Sequence, residues 1–168
     1  IPSGPFFYRK ELTALNDYLK TKYSVTADLA SAIMSYCVVL NHDAISNAGL
    51  ELDKVKTDVT DYFQTKEYIA YAVDMDKAAT ATVPSYIKEK MINGYCRQRN
   101  GDIQLIVKPG WYEVYGDKVD GGTTHGVWNP YDAHIPFLMM GWGVKHGKTN
   151  HPTYITDIAP TICNLVHI

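Results

Sequence analysis

No feature of this chain constrains its fold more than "GDIQLIVKPGWYEVYG", residues 101 to 116. Ile103 to Val107 is the clearest strand signal in the sequence, and Pro109-Gly110 turns the chain straight after it. A strand needs a sheet, and the neighbouring stretches supply its other members. "YCVVLN", with paired valines, suits a buried strand, and "EYIAYAVD" reads as another. "IPFLMMGWG", residues 135 to 143, is predicted as a further apolar strand closed by glycines.

Helical periodicity fills the intervals. "RKELTALNDYLKTKY" sets Leu12, Leu15 and Leu19 at helical spacing. "LDKVKTDVTDYFQ" puts Leu52, Val55, Val59, Tyr62 and Phe63 on one face, with Asp53 as the expected N-cap. "PSYIKEKMINGY" predicts a short helix with Pro84 in its first turn and Gly94 as its stop. "TDIAPTICNLVHI" predicts a closing helix capped by Asp157, with Pro160 in the tolerant first turn. Strands and helices alternate without repeats or low-complexity linkers. That pattern predicts an α/β layer fold whose sheet is covered by helices on both faces.

At 168 residues and 46% apolar, the chain can bury one core, and a single domain, 1–168, is expected. A formal charge of −2 without a lysine/arginine cluster argues against a nucleic-acid track. No apolar run reaches the length of a bilayer span. "IPSGPFFYRK" lacks both the charged and the long apolar parts of a signal peptide, and Ile1 reads as the product of a cut. Cys37, Cys96 and Cys163 stand far apart with no C-x-x-C pair, which argues against a zinc ribbon or a thioredoxin-like motif. Buried, unreactive thiols are the plain reading of the apolar settings around Cys37 and Cys163.

The chemistry-bearing residues gather in "GGTTHGVWNPYDAHIPF", residues 121 to 137. His125 precedes a glycine that lets the backbone approach another group closely. Taken alone it reads as a satisfied or surface histidine, since zinc takes three or four protein ligands. Asp132 and His134 form a D-x-H pair that an extended segment would turn to one face. His42-Asp43 and the pair His146 and His151 match no H-E-x-x-H arrangement. Thr123 and Thr124 beside His125 invite a nucleophile reading, but base and orienting acid are not evident, and a polar turn is preferred. "RQRNGDI", with Arg97 and Arg99, reads as a solvated loop leading into a strand.

"GGTTHGVWNPYDAHIPFLMMGWGVKHGK" followed by "YITDIAPTICNLVHI" resembles the C-terminal end of the alkaline phosphatase superfamily. The likeness is to bacterial phosphate-irrepressible alkaline phosphatases and nucleotide pyrophosphatase/phosphodiesterases. "NGYCRQRNGDIQLIVKPGWY" is similar to the preceding segment of the same enzymes. The resemblance is continuous over residues 92 to 168 and looser before them. It implies the C-terminal part of an alkaline-phosphatase-like fold and a phosphate-ester hydrolase with two zinc ions per active site. Such enzymes work through a threonine or serine nucleophile and a covalent phospho-enzyme. It carries over one metal ligand, His125, and structural roles for Asp132 and His134 in loop anchoring and Asp157 in helix capping. No catalytic residue is assigned here, because the family's nucleophile and remaining ligands lie earlier than "IPSG". The resemblance further implies a missing N-terminal part as partner, export to the periplasm, and a fragment inactive by itself.

Two other readings stay open on the sequence. One is a non-catalytic binding or self-associating domain, since strand edges left by a missing half could pair between copies. The other is a sulfatase-like or phosphonate-cleaving hydrolase using the same histidine. Fold kinship does not choose between substrates.

Overall fold

A computed structural model describes residues 2–119, 121 and 124–168, so the reading of a cut at Ile1 lies outside the described residues. Two compact units emerge, Ile1–His134 and Ile135–Ile168.

The first unit is built on a four-stranded sheet. Its strands are β2 (Ala30–Met34), β3 (Cys37–Leu40), β4 (Ile69–Asp74) and β5 (Ile103–Val107), in the order β2-β3-β5-β4 and antiparallel at each join. Every residue of β5 is buried. Ile103, Leu105 and Val107 pack with Leu15 and Leu19 of helix α1 (Tyr8–Tyr23) and with Val55, Val59 and Phe63 of helix α3 (Leu52–Gln64). Ile106 and Val73 pack the other way, with Met75 of a 3-10 turn (Met75–Thr80) and with Ile87 and Met91 of helix α4 (Ser85–Gly94). The period-2 alternation of β5 thus feeds two cores, and the expected mixed α/β layering with cover on both faces is what forms. Each large side chain so buried stabilises the fold by about 1.5–3 kcal/mol relative to staying in water.

β2 and β3 are joined by a two-residue turn, Ser35-Tyr36, in which both residues have positive φ, 49° and 57°. Turns of this kind favour asparagine and glycine, so a tyrosine here needs compensation. Tyr36 is buried, its carbonyl accepts from the Leu105 N–H at 2.7 Å, and its hydroxyl oxygen accepts from the Glu113 N–H at 2.7 Å. At Gly101, just before β5, a Cβ would sit 2.6 Å from the Val38 carbonyl oxygen, so only glycine lets β5 enter beside β3. A second, parallel pair joins β1 (Gly4–Phe7) to β6 (Trp111–Val114). Helix α2 (His42–Asn47) is capped by the Asn41 side chain, which accepts from the Ala44 N–H at 3.0 Å.

Three local expectations are corrected. Asp53 is not the N-cap of α3: Glu51 holds that position and Asp53 lies in the first turn. Pro84 occupies the N-cap of α4 rather than its first turn. Residues 135 to 143 form no strand. Pro136 has no N–H to give a ladder, Gly143 sits at φ +78°, and the described residues of this unit offer no strand edge to pair with.

The second unit holds a 3-10 turn (Ile155–Asp157) and the last helix (Ile158–Leu165), which is called α6 because a single-turn helix α5 (Pro130–Ala133) precedes it. No described helix is long and apolar enough to cross a membrane.

Candidate functional site

The loop that carries His125 is held from below by α5. Asn129 is at its N-cap with Pro130 at the first helical position, where a fixed φ helps and the missing N–H costs nothing. The Asn129 carbonyl accepts from the N–H groups of Asp132 and Ala133 at 3.0 and 2.9 Å, closing the turn. This turn aims the Asp132 carboxylate back along the chain. One oxygen, Oδ2, accepts from the N–H of Gly126 at 2.6 Å and of Val127 at 2.8 Å. Two N–H groups on one carboxylate oxygen make charge-assisted bonds, together worth about 1–2 kcal/mol at this partly exposed site. They fix the backbone of the residues directly after His125.

Two further contacts brace the loop. Gly126 has φ +106°, a conformation other residues avoid, and the Tyr36 ring lies beneath it, 3.9 Å from where a Cβ would stand. The Tyr131 hydroxyl oxygen accepts from the Gly110 N–H and from the Asn129 amide, each at 3.2 Å, tying α5 to the turn after β5. Burial pushes the Tyr36 hydroxyl up to about 12, so it stays protonated under ordinary conditions. The His125 side chain itself is exposed and makes no hydrogen bond among the described residues.

The structure brings Asp132 to the His125 loop and leaves the other candidates apart. Asp132 and His134 do not share a face of an extended segment, because Asp132 lies in α5 and His134 is its C-cap. His134 is exposed, and its backbone N–H donates to the Pro130 carbonyl at 3.0 Å. Asp157 belongs to the second unit. It sits at the N-cap position of α6 but gives that helix no side-chain cap, its Oδ2 accepting instead from the Tyr154 N–H at 2.8 Å. Thr123 lies outside the described residues, and Thr124 is exposed. Arg97 and Arg99 are exposed in the turn before β5, as the sequence reading has it. Among the described residues, no group of three or more His, Cys, Asp and Glu side chains converges as a metal site.

A polar cluster that the sequence reading missed lies elsewhere in the first unit. Lys56 of α3 is 3% exposed, and its ammonium reaches Asp76 at 2.6 Å, Asp74 at 3.5 Å and Asp102 at 3.8 Å. Asp102 also holds His42 Nε2 at 2.8 Å and accepts from the Leu40 N–H. Burial works against the Lys56 charge, but Asp76, Asp74 and Asp102 outweigh it and raise its pKa. The Lys56 ammonium and then the Tyr95 hydroxyl hold the Asp76 carboxyl below its usual range. This cluster ties α3 to the ends of β4 and β5. A lysine on a helix face gives no sign in sequence that it will be buried. A nearby cleft of about 370 Å³, lined among others by Thr57, Thr60, Tyr71, Asp74 and Lys77, contains none of His125, Asp132, His134 and Asp157.

No family model matches the chain. A calcium-transporting ATPase of Myroides odoratus is 43% identical over 166 residues, covering 99% of this chain and 30% of the relative. Alkaline phosphatase PafA of Elizabethkingia meningoseptica is 40% identical over 168 residues, covering all of this chain and 30% of that enzyme. The crystal structure of wild-type alkaline phosphatase PafA superposes with a TM-score of 0.88 at 38% identity, over 100% of this chain and 31% of the enzyme chain. The chain therefore spans about 30% of the length of the relatives it matches.

Proposed function

Because this chain is related from end to end to a part of alkaline phosphatases and folds as that part folds, we propose that it is a portion of a zinc-dependent phosphate-ester hydrolase. It serves phosphomonoester or phosphodiester hydrolysis through a covalent phospho-enzyme, with His125 as one zinc ligand. Both compact units belong to one catalytic domain of a longer, exported protein. The similarity of this whole chain to 30% of an alkaline phosphatase carries the reading.

The residues at hand suit the part assigned to them. An imidazole is a zinc ligand by nature, and His125 presents an exposed one directly before two residues whose N–H groups Asp132 holds. A zinc ion, when bound, neutralises oxygens that gain charge as phosphorus is attacked. What this chain does is positional. Asp132 removes the rotational freedom of the Gly126-Val127 backbone, and Tyr36 supports the loop from the core. An imidazole next to backbone held in this way has less freedom to lose on taking up a metal. The nucleophile and the remaining ligands come from the rest of the longer polypeptide.

The test is zinc content after dialysis together with turnover of p-nitrophenyl phosphate and bis(p-nitrophenyl) phosphate. The longer polypeptide is expected to hold zinc and hydrolyse at least one of the two esters, with both properties reduced in His125→Ala. The 168-residue chain alone is expected to hold less than one zinc per chain and to hydrolyse neither. Unchanged zinc and unchanged turnover in His125→Ala would remove His125 from the site.

A further inference from the structure

The cleft between α3, the end of β4 and the 3-10 turn Met75–Thr80 has no part in the chemistry described above. All of its walls come from residues 57 to 83, inside the first unit. At about 370 Å³ it lies within the size range of small-molecule sites. The hydroxyls of Thr57, Thr60 and Thr80 in its walls each donate to a backbone carbonyl one turn back, those of Asp53, Lys56 and Lys77. Their protons are spent, and what each has left to offer is a lone pair. The carboxylates of Asp61 and Asp74 add further acceptors. The Asp74 side chain is only 10% exposed, and its Oδ2 accepts no hydrogen bond among the described residues. A buried carboxylate oxygen in that condition calls for a donor. The Lys77 ammonium stands 3.3 Å from Asp74 Oδ2 on a side chain 55% exposed. An ion pair to so exposed a lysine is worth little, so it gives way readily to a donor from a ligand.

These groups select the chemistry of an occupant. An anion such as phosphate would face two carboxylates and the threonine lone pairs. A small cation would find Asp74 already held between the Lys56 ammonium at 3.5 Å and that of Lys77. A hydroxyl both donates and accepts, so a neutral ligand with several of them answers the acceptors and the Lys77 ammonium together. Tyr71 and Val83 supply an aromatic and an aliphatic wall for its C–H groups. We propose that this cleft binds a small neutral polyol or sugar. Asp74 Oδ2 and the threonine hydroxyl oxygens accept from its O–H groups, and Lys77 donates to it.

Amide NMR of the isotope-labelled 168-residue chain tests this. The chain is titrated separately with glucose, galactose, mannose, glycerol, putrescine and inorganic phosphate. At least one of the four polyols is expected to shift amides of residues 57–64 and 71–83 saturably, with a dissociation constant in the millimolar range. Ala81→Leu fills the cleft without changing a polar group, and Thr60→Val removes one acceptor while keeping its shape. Each is expected to weaken the binding about tenfold, the scale of one hydrogen bond. Shifts with none of the four polyols overturn the proposal, as do shifts with putrescine or phosphate alone. Polyol binding that both variants leave unchanged also overturns it. So does a longer polypeptide that shows no polyol response at these amides, because its own chain then fills the cleft. The proposal needs neither zinc nor His125, so zinc content and ester turnover test the hydrolase reading separately.

Discussion

Two apolar runs in this chain, Ile103 to Val107 and Ile135 to Gly143, read alike in sequence and fold differently. The first is a strand with both faces buried and every residue out of water. The second is irregular, and Leu138 and Met140 stand almost fully in solvent. Their hydrophobicity is similar; their surroundings are not. β5 finds β3 and β4 to complete its ladder, and α1, α3 and α4 to cover it. Among the described residues, the second run finds no strand partner. Apolarity in a short run declares a need for cover, and the partner decides the conformation.

The contrast can be broken at several points. Leu105→Ala removes a side chain with no exposed surface and is expected to destabilise the first unit by about 4 kcal/mol, read as a fall in urea midpoint. Lys56→Met takes the buried ammonium away from Asp76 and Asp102 and leaves Asp74 with Lys77 alone. It is expected to cost about 3 kcal/mol in the same assay, less than Leu105→Ala because water can reach Asp76. Asp132→Ala releases two backbone N–H groups at a half-exposed site and is expected to cost about 1–2 kcal/mol, with faster exchange at Gly126 and Val127. Leu138→Ala in the 168-residue chain is expected to change stability by less than about 0.5 kcal/mol, since its side chain has little packing to lose there. A large loss from Leu138→Ala in this short chain would erase the contrast.

The Lys56 cluster also sets a pH dependence. The Asp76 carboxyl titrates below its ordinary 3.8 when folded, so the stability it adds is present above that value and disappears as acid carries the solution through the lower folded one. Lys56 is raised above its ordinary 10.5, so its share is present below that value and is lost on passing the higher folded one in alkali. The cluster's contribution is expected to hold from neutral to about pH 4 and then fall, and in Lys56→Met that acid slope should flatten. Thiol chemistry sharpens the same buried-against-exposed distinction. Burial pushes Cys37 up to about 11, whereas Cys96 is exposed, so iodoacetamide at pH 8 is expected to label Cys96 first.

The elements legible in the sequence were those whose pattern is local. α1, α3, α4 and β5 follow from spacing along a few turns or a few alternations. β1 and β6 were not legible, because each is four residues long and owes its conformation to the other. The anchoring role of Asp132 came only through family resemblance. Its geometry depends on α5 turning a carboxylate back six residues to Gly126, which no spacing rule announces. Tyr36 and Tyr131, which brace the same loop, carry no signal beyond being tyrosines. Lys56 was hidden by a reliable habit, that lysines on helices face water.

The parallel pair β1–β6 joins Gly4 to Trp111, and its loop closes over roughly a hundred residues, the most distant pairing in the described sheets. The β2–β3 hairpin, by contrast, closes across two residues. Contacts so far apart along the chain form late and are expected to be among the first to open. A protease added under native conditions is therefore expected to nick the segment before Tyr8 while β2 to β5 remain intact. Because β6 leads into the His125 loop, that end of the chain is also where slow breathing would first slacken the loop's support.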